Sequence, residues 1–145
     1  MKLVSLALGL ALICATVPAF AANIDVQLLN KGDKGAFVFQ PDLIKIAAGD
    51  TVTFKATDKG HNVDAVAAGI PVGATPFKSP MSQDLAQTFT VPGVYIVKCD
   101  PHYGLGMVAV VVVGDDLSNL DALKAAKNPQ KAQDRLNAIF AELAE

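Results

Sequence analysis

The sequence of 145 residues holds few of the side chains that usually mark a functional site: two cysteines, two histidines and no tryptophan. One cysteine, Cys14, lies in an apolar N-terminal stretch, so the rest of the chain has a single thiol, Cys99. One thiol cannot form an internal disulfide bond. Cys99 is therefore a buried inert residue, a catalytic nucleophile or a metal ligand.

The chain also lacks an excess of basic residues. It has 12 lysines and arginines against 14 aspartates and glutamates, and a formal net charge of −2. A nucleic-acid-binding protein needs a basic face, so this balance argues against a nucleic acid partner. The net charge decides nothing further about partners, because charge can be unevenly distributed over a surface.

No apolar run in the N-terminal stretch reaches the roughly 20 residues that a membrane-spanning helix needs. The run from Leu3 to Val17 follows the single charge of Lys2 and precedes Ala19-Phe20-Ala21. This pattern is typical of a secretory signal peptide, so residues 1–21 are predicted to be cleaved off after export. The mature chain, 22–145, is expected to have no membrane span. An uncleaved N-terminal anchor is the alternative interpretation.

Short apolar runs separated by turn residues fill the segment 22–114. Several of them alternate apolar with polar residues, and Gly-Asp, Asp-Lys-Gly and Pro-Gly sequences separate them. This pattern predicts a mainly β fold: an antiparallel sandwich or barrel of seven or eight short strands. The Gly- and Pro-rich segment 65–83 is predicted to be a long crossover loop with one helical turn.

The segment 115–145 has helical periodicity instead. Ser118, with Asp121 three residues later, predicts the N-terminal cap of one helix, and Pro129 predicts the first helical position of a second. The apolar face of the second helix has four residues: Leu136, Ile139, Phe140 and Leu143. Because Val108 to Val113 reads as a strand covered on both faces, we expect the helices to pack on the sheet there. A dimer contact is the alternative.

The stretch "KCDPHYGLGMVAVVVVG" carries Cys99, His102 and Met107 within nine residues. Pro101 and the glycines predict a tight turn between two antiparallel strands, which would bring the three side chains to one end of the sandwich. His61, in "DKGHNVD", also follows a strand at a turn. A Greek-key arrangement can bring this histidine to the same end.

Two imidazoles, a thiolate and a thioether are the donor set of a mononuclear copper site for electron transfer. Zinc is the main rival, although it rarely takes a thioether ligand. A Cys–His nucleophilic enzyme is disfavoured because no oxyanion-hole turn adjoins Cys99. A copper enzyme is disfavoured because four protein ligands leave no open position for a substrate.

These residues resemble the type 1 copper proteins, or cupredoxins, and within them the pseudoazurin subfamily. The resemblance covers nearly all of the mature chain and rests on "FVFQPDLIKIAAGDTVTF", "TDKGHNVD", "CDPHYGLGMVAVVVVGD" and two C-terminal helices. It implies one plastocyanin-like domain over 22–145, a Greek-key β-sandwich of about eight strands with two C-terminal helices packed on the sheet.

The resemblance implies that His61, Cys99, His102 and Met107 bind one type 1 copper ion, with His102 as the exposed ligand and Asn62 bracing the ligand loops. It implies a soluble, monomeric, periplasmic electron carrier, not an enzyme. Its expected partners are redox proteins such as nitrite reductase, other denitrification reductases and c-type cytochromes. Copper storage or delivery is the alternative function.

Docking is expected around His102, through an apolar collar of Pro101, Tyr103 and Leu105. Five lysines are expected to surround the collar and attract an acidic partner: Lys31, Lys34, Lys59, Lys78 and Lys98. Asp100, next to Cys99, departs from the uncharged residue that the resemblance leads us to expect. A carboxylate there would stabilise Cu(II) and weaken the attraction to an acidic partner.

Overall fold

Nine short strands form two sheets that face each other across an apolar core. The computed structural model describes residues 20–145, so residues 1–19 of the predicted signal peptide lie outside the described residues. The strands are β1 (Asn23–Gly32), β2 (Gly35–Gln40), β3 (Leu43–Ile46), β4 (Thr51–Lys55), β5 (Asp64–Ala65), β6 (Phe77–Lys78), β7 (Leu85–Thr88), β8 (Gly93–Lys98) and β9 (Val108–Val113). Two helices follow, α1 (Leu120–Ala125) and α2 (Gln130–Leu143).

The two sheets have the strand orders β2-β1-β4-β7 and β3-β9-β8-β5-β6. The predicted antiparallel pairing holds for most strand pairs, but β1 pairs with β4 and β3 pairs with β9 in parallel. The chain passes from the first sheet to the second after β2. Other strands lie between β1 and β4 in the sequence, and also between β3 and β9. No hairpin turn forces these pairs to be antiparallel, so parallel pairing is allowed.

Strand β9 is buried on both faces, as its unbroken apolar sequence predicted. Ala109, Val111 and Val113 point into the core between the sheets. Val108, Val110 and Val112 contact a second apolar cluster formed with the helices. The C-terminal helices therefore cover the outer face of this sheet, as predicted.

Helix α2 places Leu136, Ile139 and Phe140 against the sheet, and all three are buried. The cap predicted for α1 was wrong: the N-cap residue is Asn119, and no side chain caps the helix. Asn119 instead bonds both the backbone N–H and the carbonyl of Val94 in β8, at 3.0 and 2.8 Å. Tertiary contact with the sheet thus replaces a local cap. Of the helices in residues 20–145, none has the length and apolar character needed to span a bilayer.

The long segment 65–83 contains one 3₁₀ turn, Ala67–Gly69, and the two residues of β6. It is otherwise irregular, as predicted. Strands β8 and β9 are antiparallel neighbours, with Lys98 opposite Val108. The nine residues between these paired ends, 99–107, therefore have to turn back at one end of the sandwich, which is where the candidate site lies.

We expect Leu136→Ala to lower the free energy of unfolding by about 2–5 kcal/mol, because it leaves a cavity between α2 and β9. Chemical denaturation measures this change. Leu117→Ala is the matched control, since Leu117 is 42% exposed and should cost far less when shortened. Equal losses in the two variants would show that helix packing does not stabilise the sheet.

Candidate metal centre

Three side chains that can bind a metal meet at the end of the sandwich where β8 turns into β9. Cys99 directly follows β8, and His102 lies three residues further along the turn. His61 comes from the loop after β4, nearly forty residues earlier. Their donor atoms all lie within 4.8 Å of one another. The structure therefore brings together the histidines and the thiol that the sequence singled out.

Backbone hydrogen bonds hold this turn closed. The Cys99 N–H donates to the Met107 carbonyl at 3.1 Å, and the Met107 N–H donates to the His102 carbonyl at 3.1 Å. Gly106 has a φ of +93°, and a Cβ there would lie 2.9 Å from the carbonyl oxygen of Lys131 in α2. Glycine is required at this position both by the left-handed backbone and by the close approach of the helix.

The spacing of the three donor atoms suits a metal ion. The two Nδ1 atoms of His61 and His102 are 3.0 Å apart, and Cys99 Sγ lies 3.7 and 3.6 Å from them. A triangle with these sides has its centre about 2.0 Å from each corner. Bonds from imidazole nitrogen to a transition metal are of this length, roughly 2.0–2.1 Å for zinc. The donor set fits one ion near that centre.

Met107 lies at the same end of the sandwich, one residue before β9 begins. Its side chain is fully buried in the core between the sheets, and its backbone is bonded to both Cys99 and His102. A thioether beside a thiol favours a soft metal such as copper over zinc. The Met107 backbone is thus hydrogen-bonded to the turn that carries Cys99 and His102, and its thioether is the fourth donor predicted from the sequence.

Asn30 determines which nitrogen of His61 faces the other donors. The amide oxygen of Asn30 lies 2.9 Å from His61 Nε2, and an amide oxygen can only accept a hydrogen bond. The proton therefore sits on Nε2, and the Nδ1 lone pair points towards Cys99 and His102. Burial, followed by the nearby His102, lowers the pKa of His61. Both effects favour the neutral imidazole that a metal requires.

Phe37 is a feature of the site that sequence reasoning missed. Its ring stacks on the partly exposed His102 ring, with centroids 4.2 Å apart and an angle of 10° between the planes. Its φ of +51° is unusual for a bulky residue. The pairing of β1 with β2 is interrupted at Asn30 and Phe37, which are skipped between the pairs Leu29–Val38 and Lys31–Ala36. Asn30 contacts His61, and Phe37 contacts His102. Strand alternation alone gives no signal of such an interruption.

The Cys99 thiol is fully buried. Burial raises its pKa, while hydrogen bonds from the backbone N–H groups of Asn62 and His102 act in the opposite direction. These two donors would stabilise a thiolate once a positive ion offsets the loss of solvation. The site therefore favours a metal-bound thiolate over a free thiolate.

Asn62 joins the two loops that carry the donors. Its side-chain oxygen accepts the backbone N–H of Asp100 at 2.9 Å, and its side-chain nitrogen donates to Asp100 Oδ2 at 2.9 Å. Asn62 is 1% exposed, so both bonds are shielded from water. The expectation that Asn62 braces the ligand loops agrees with this geometry.

Asp100 also pairs with two lysines. Its carboxylate oxygens each lie 2.5 Å from an ammonium nitrogen, one from Lys78 and the other from Lys98. Lys98 is 3.1 Å from Asp64 as well. Partial burial opposes ionisation of Asp100, but hydrogen bonds from Lys78, Lys98 and Asn62 hold its pKa well below the usual range. Two of the lysines predicted to attract a partner are therefore balanced by carboxylates.

The other predicted lysines differ in their surroundings. Lys34 contacts Asp42 at 2.7 Å and Glu142 at 2.6 Å, so it too is paired. Lys31 and Lys59 are exposed, and no carboxylate among residues 20–145 forms an ion pair with either.

Leu105 is 45% exposed beside His102, and Pro101 is exposed too.

Comparison with known proteins shows the family to which the chain belongs. Residues 26–114 match the family described as copper binding proteins, plastocyanin/azurin family. A pseudoazurin of Paracoccus pantotrophus is 47% identical over 133 residues, which are 92% of this chain and 92% of that protein. A pseudoazurin of Methylorubrum extorquens is 43% identical over 131 residues, which are 90% of this chain and 88% of that protein.

Solved structures of pseudoazurins have the same fold as this chain. The crystal structure of pseudoazurin from Methylobacterium extorquens AM1 superposes with a TM-score of 0.81 at 42% identity, over 83% of this chain and 98% of that one. The pseudoazurin structure from Sinorhizobium meliloti gives a TM-score of 0.80 at 41% identity, over 84% of this chain and 96% of that one. From its fold, its donor set and these relatives, the chain belongs to the plastocyanin/azurin family of copper-binding proteins, among the pseudoazurins.

Proposed function

We propose that the chain is a soluble periplasmic electron carrier that binds one type 1 copper ion through His61, Cys99, His102 and Met107. The observation that carries this proposal is the triangle of two imidazole nitrogens and a thiol sulfur, 3.0–3.7 Å apart, at one end of the sandwich. Soft sulfur donors combined with imidazole are the ligand set of such copper sites.

Copper bound there would supply a one-electron couple between Cu(I) and Cu(II). The protein's contribution is to hold the donors in place, so that little has to move when the charge changes. Asn30 and Asn62 restrain His61 and the cysteine loop by hydrogen bonds, and Phe37 restrains the His102 ring by stacking. With four side chains around the ion, no position is left for a substrate, so the proposed role is electron transfer and not catalysis.

The proposed electron exit is the partly exposed ring of His102. Pro101 and Leu105 form exposed apolar surface beside it, suited to close contact with a redox partner. Lys31, Lys59 and Lys78 are the proposed charged contacts around this surface. Nitrite reductase or another denitrification reductase is the proposed acceptor, and a c-type cytochrome is a further candidate partner.

The proposal includes export. Residues 1–21 are the proposed signal peptide, and residues 22–145 the proposed mature domain, a monomer in the periplasm. The pattern of Lys2, the apolar run and Ala19-Phe20-Ala21 supports it.

Adding Cu(II) to the purified mature protein should produce an intense visible thiolate-to-copper charge-transfer band. Cys99→Ser should abolish the band, because the sulfur that gives rise to it is gone. Met107→Leu should keep the band but shift its position, while Met81→Leu, at a methionine that is 47% exposed, should leave it unchanged. A wild-type protein without the band would refute the proposed copper site.

The same preparation separates electron transfer from copper storage or delivery. A carrier should exchange electrons rapidly between its Cu(I) and Cu(II) forms and retain copper through repeated cycles. Slow self-exchange together with ready, reversible copper release would favour storage or delivery.

Asp100→Ala should raise the reduction potential, by on the order of tens of millivolts. The substitution removes a negative charge beside the thiolate and leaves Asp64 as the one carboxylate that still pairs with Lys78 and Lys98 in residues 20–145, and both effects favour Cu(I). Voltammetry measures the shift. Asp115→Ala removes the same charge just beyond the far end of β9 and should change the potential little. An unchanged or lower potential in Asp100→Ala would contradict this electrostatic account.

Expression of the full sequence in a Gram-negative host should release a periplasmic protein whose mass corresponds to a chain starting at Ala22. Intact-mass spectrometry of the periplasmic fraction checks this. Ala21→Arg should block cleavage and leave the longer chain with the membrane fraction, because the cleavage site requires a small residue there. Cleavage at another bond would place the mature start elsewhere.

A further inference from the structure

Four surface segments meet around the candidate metal centre: 30–36, 58–64, 78–82 and 98–106, which we call the rim. Side-chain and backbone contacts connect them: the Asn30 side chain contacts His61, the backbone N–H of Ser82 donates to the His61 carbonyl, and Lys78 pairs with Asp100. The rim contains five lysines: Lys31, Lys34, Lys59, Lys78 and Lys98. It also contains four aspartates: Asp33, Asp58, Asp64 and Asp100. The rim is therefore almost neutral.

Two of these aspartates offset two of the lysines directly. Asp100 joins Lys78 to Lys98, and Asp64 lies 3.1 Å from Lys98 and 3.7 Å from Lys78. These four side chains form a closed group of two positive and two negative charges. A partner approaching from solvent meets a group whose field largely cancels beyond a few ångströms.

A positive and a negative side chain of this group are both accessible to a partner. The Lys78 side chain is 58% exposed, and that of Asp100 is 27% exposed. Both therefore lie on the accessible surface beside the metal centre. Because Asp100 also accepts a hydrogen bond from Asn62, it is held in place and cannot readily turn away from an approaching acidic surface.

Apolar surface lies at the centre of the rim. Leu105 is 45% exposed, Pro101 is exposed, and the His102 ring between them is stacked on Phe37. Close contact over these residues would bury apolar area without requiring opposite charges on the partner. The nearly neutral charge of the rim and its exposed apolar centre thus both favour a partner with an apolar and nearly neutral face.

We propose that the rim is a charge-balanced docking surface, which fits a redox protein with an apolar and nearly neutral docking face, and that Asp100 determines this specificity. The inference rests on the proposed electron-transfer function and specifies its partner. A strongly acidic docking face, which five unpaired lysines would have favoured, would gain less attraction here, because only Lys31 and Lys59 lack a carboxylate partner among residues 20–145. It would also meet the fixed carboxylate of Asp100.

The test measures electron transfer from the reduced copper-loaded protein to two small oxidants of opposite charge, hexacyanoferrate(III) and tris(phenanthroline)cobalt(III). Stopped-flow rates are recorded from low to physiological ionic strength. The salt dependence of the rate reports the local charge at the point of electron transfer. A change in reduction potential shifts the rate itself but not this dependence, so the two effects of Asp100 are separated.

With wild-type protein, we expect the rate with each oxidant to change by less than about twofold across the salt range. Asp100→Asn, which keeps the shape and the hydrogen bond with Asn62, should make the hexacyanoferrate(III) rate fall about three- to tenfold as salt is added. Lys78→Gln should give the opposite trend, with the hexacyanoferrate(III) rate rising with salt. Asp115→Asn is the matched control and should behave as wild type.

A second measurement does not depend on the metal. Hexacyanochromate(III), a paramagnetic anion, is added to the copper-free protein, and the broadening of backbone NMR signals is recorded. Wild-type protein should show no preferential broadening around residues 78 and 98, whereas Asp100→Asn should show it there.

The proposal is overturned if the wild-type rate with hexacyanoferrate(III) already falls steeply with salt, or if Asp100→Asn and Asp115→Asn behave alike. The first result would mean that the rim is a basic patch that attracts acidic partners. The second would mean that Asp100 does not determine the specificity of docking. Failure of the proposed function gives a different result: no charge-transfer band, and no electron transfer to either oxidant. The two failures are therefore distinguishable.

Discussion

The candidate site depends on the bond between two loops that are far apart in the sequence, one carrying His61 and the other carrying Cys99. Asn62 makes that bond with two shielded hydrogen bonds to Asp100, and its own N–H is directed at the cysteine sulfur. A buried amide that lost such partners would be left unsatisfied, so separating the loops would be costly. The spacing of the donor atoms follows from this bond.

The same bond connects the interior of the site with its surface. Asp100 is held by Asn62 on one side and by Lys78 and Lys98 on the other. The carboxylate therefore acts on the geometry of the cysteine loop and on the charge that a partner meets. Because Asp100 directly follows Cys99 and is also partly exposed, its charge acts both on the candidate metal centre and on the proposed docking surface.

Much of the fold could be predicted from local pattern. Alternating apolar residues gave the strands, and the spacing of Leu136, Ile139 and Phe140 gave the buried face of α2, because burial on one face imposes a period on the sequence. The cap at Ser118 was wrong because Asn119 bonds the backbone of β8, a partner that is distant in the chain. The parallel strand pairs were missed for a similar reason, since pairing across long connections leaves no local signal.

The sequence by itself determined the donor chemistry: one thiol after the N-terminal stretch, two histidines and a methionine, with three of the four on one turn. It also determined the turn itself, through Pro101 and Gly106. Only the tertiary structure decided that His61 joins them, that Phe37 stacks on His102, and that carboxylates balance the lysines around the site. Side-chain type is a property of each residue, whereas contact and charge balance depend on which distant segments the folded sheets bring together.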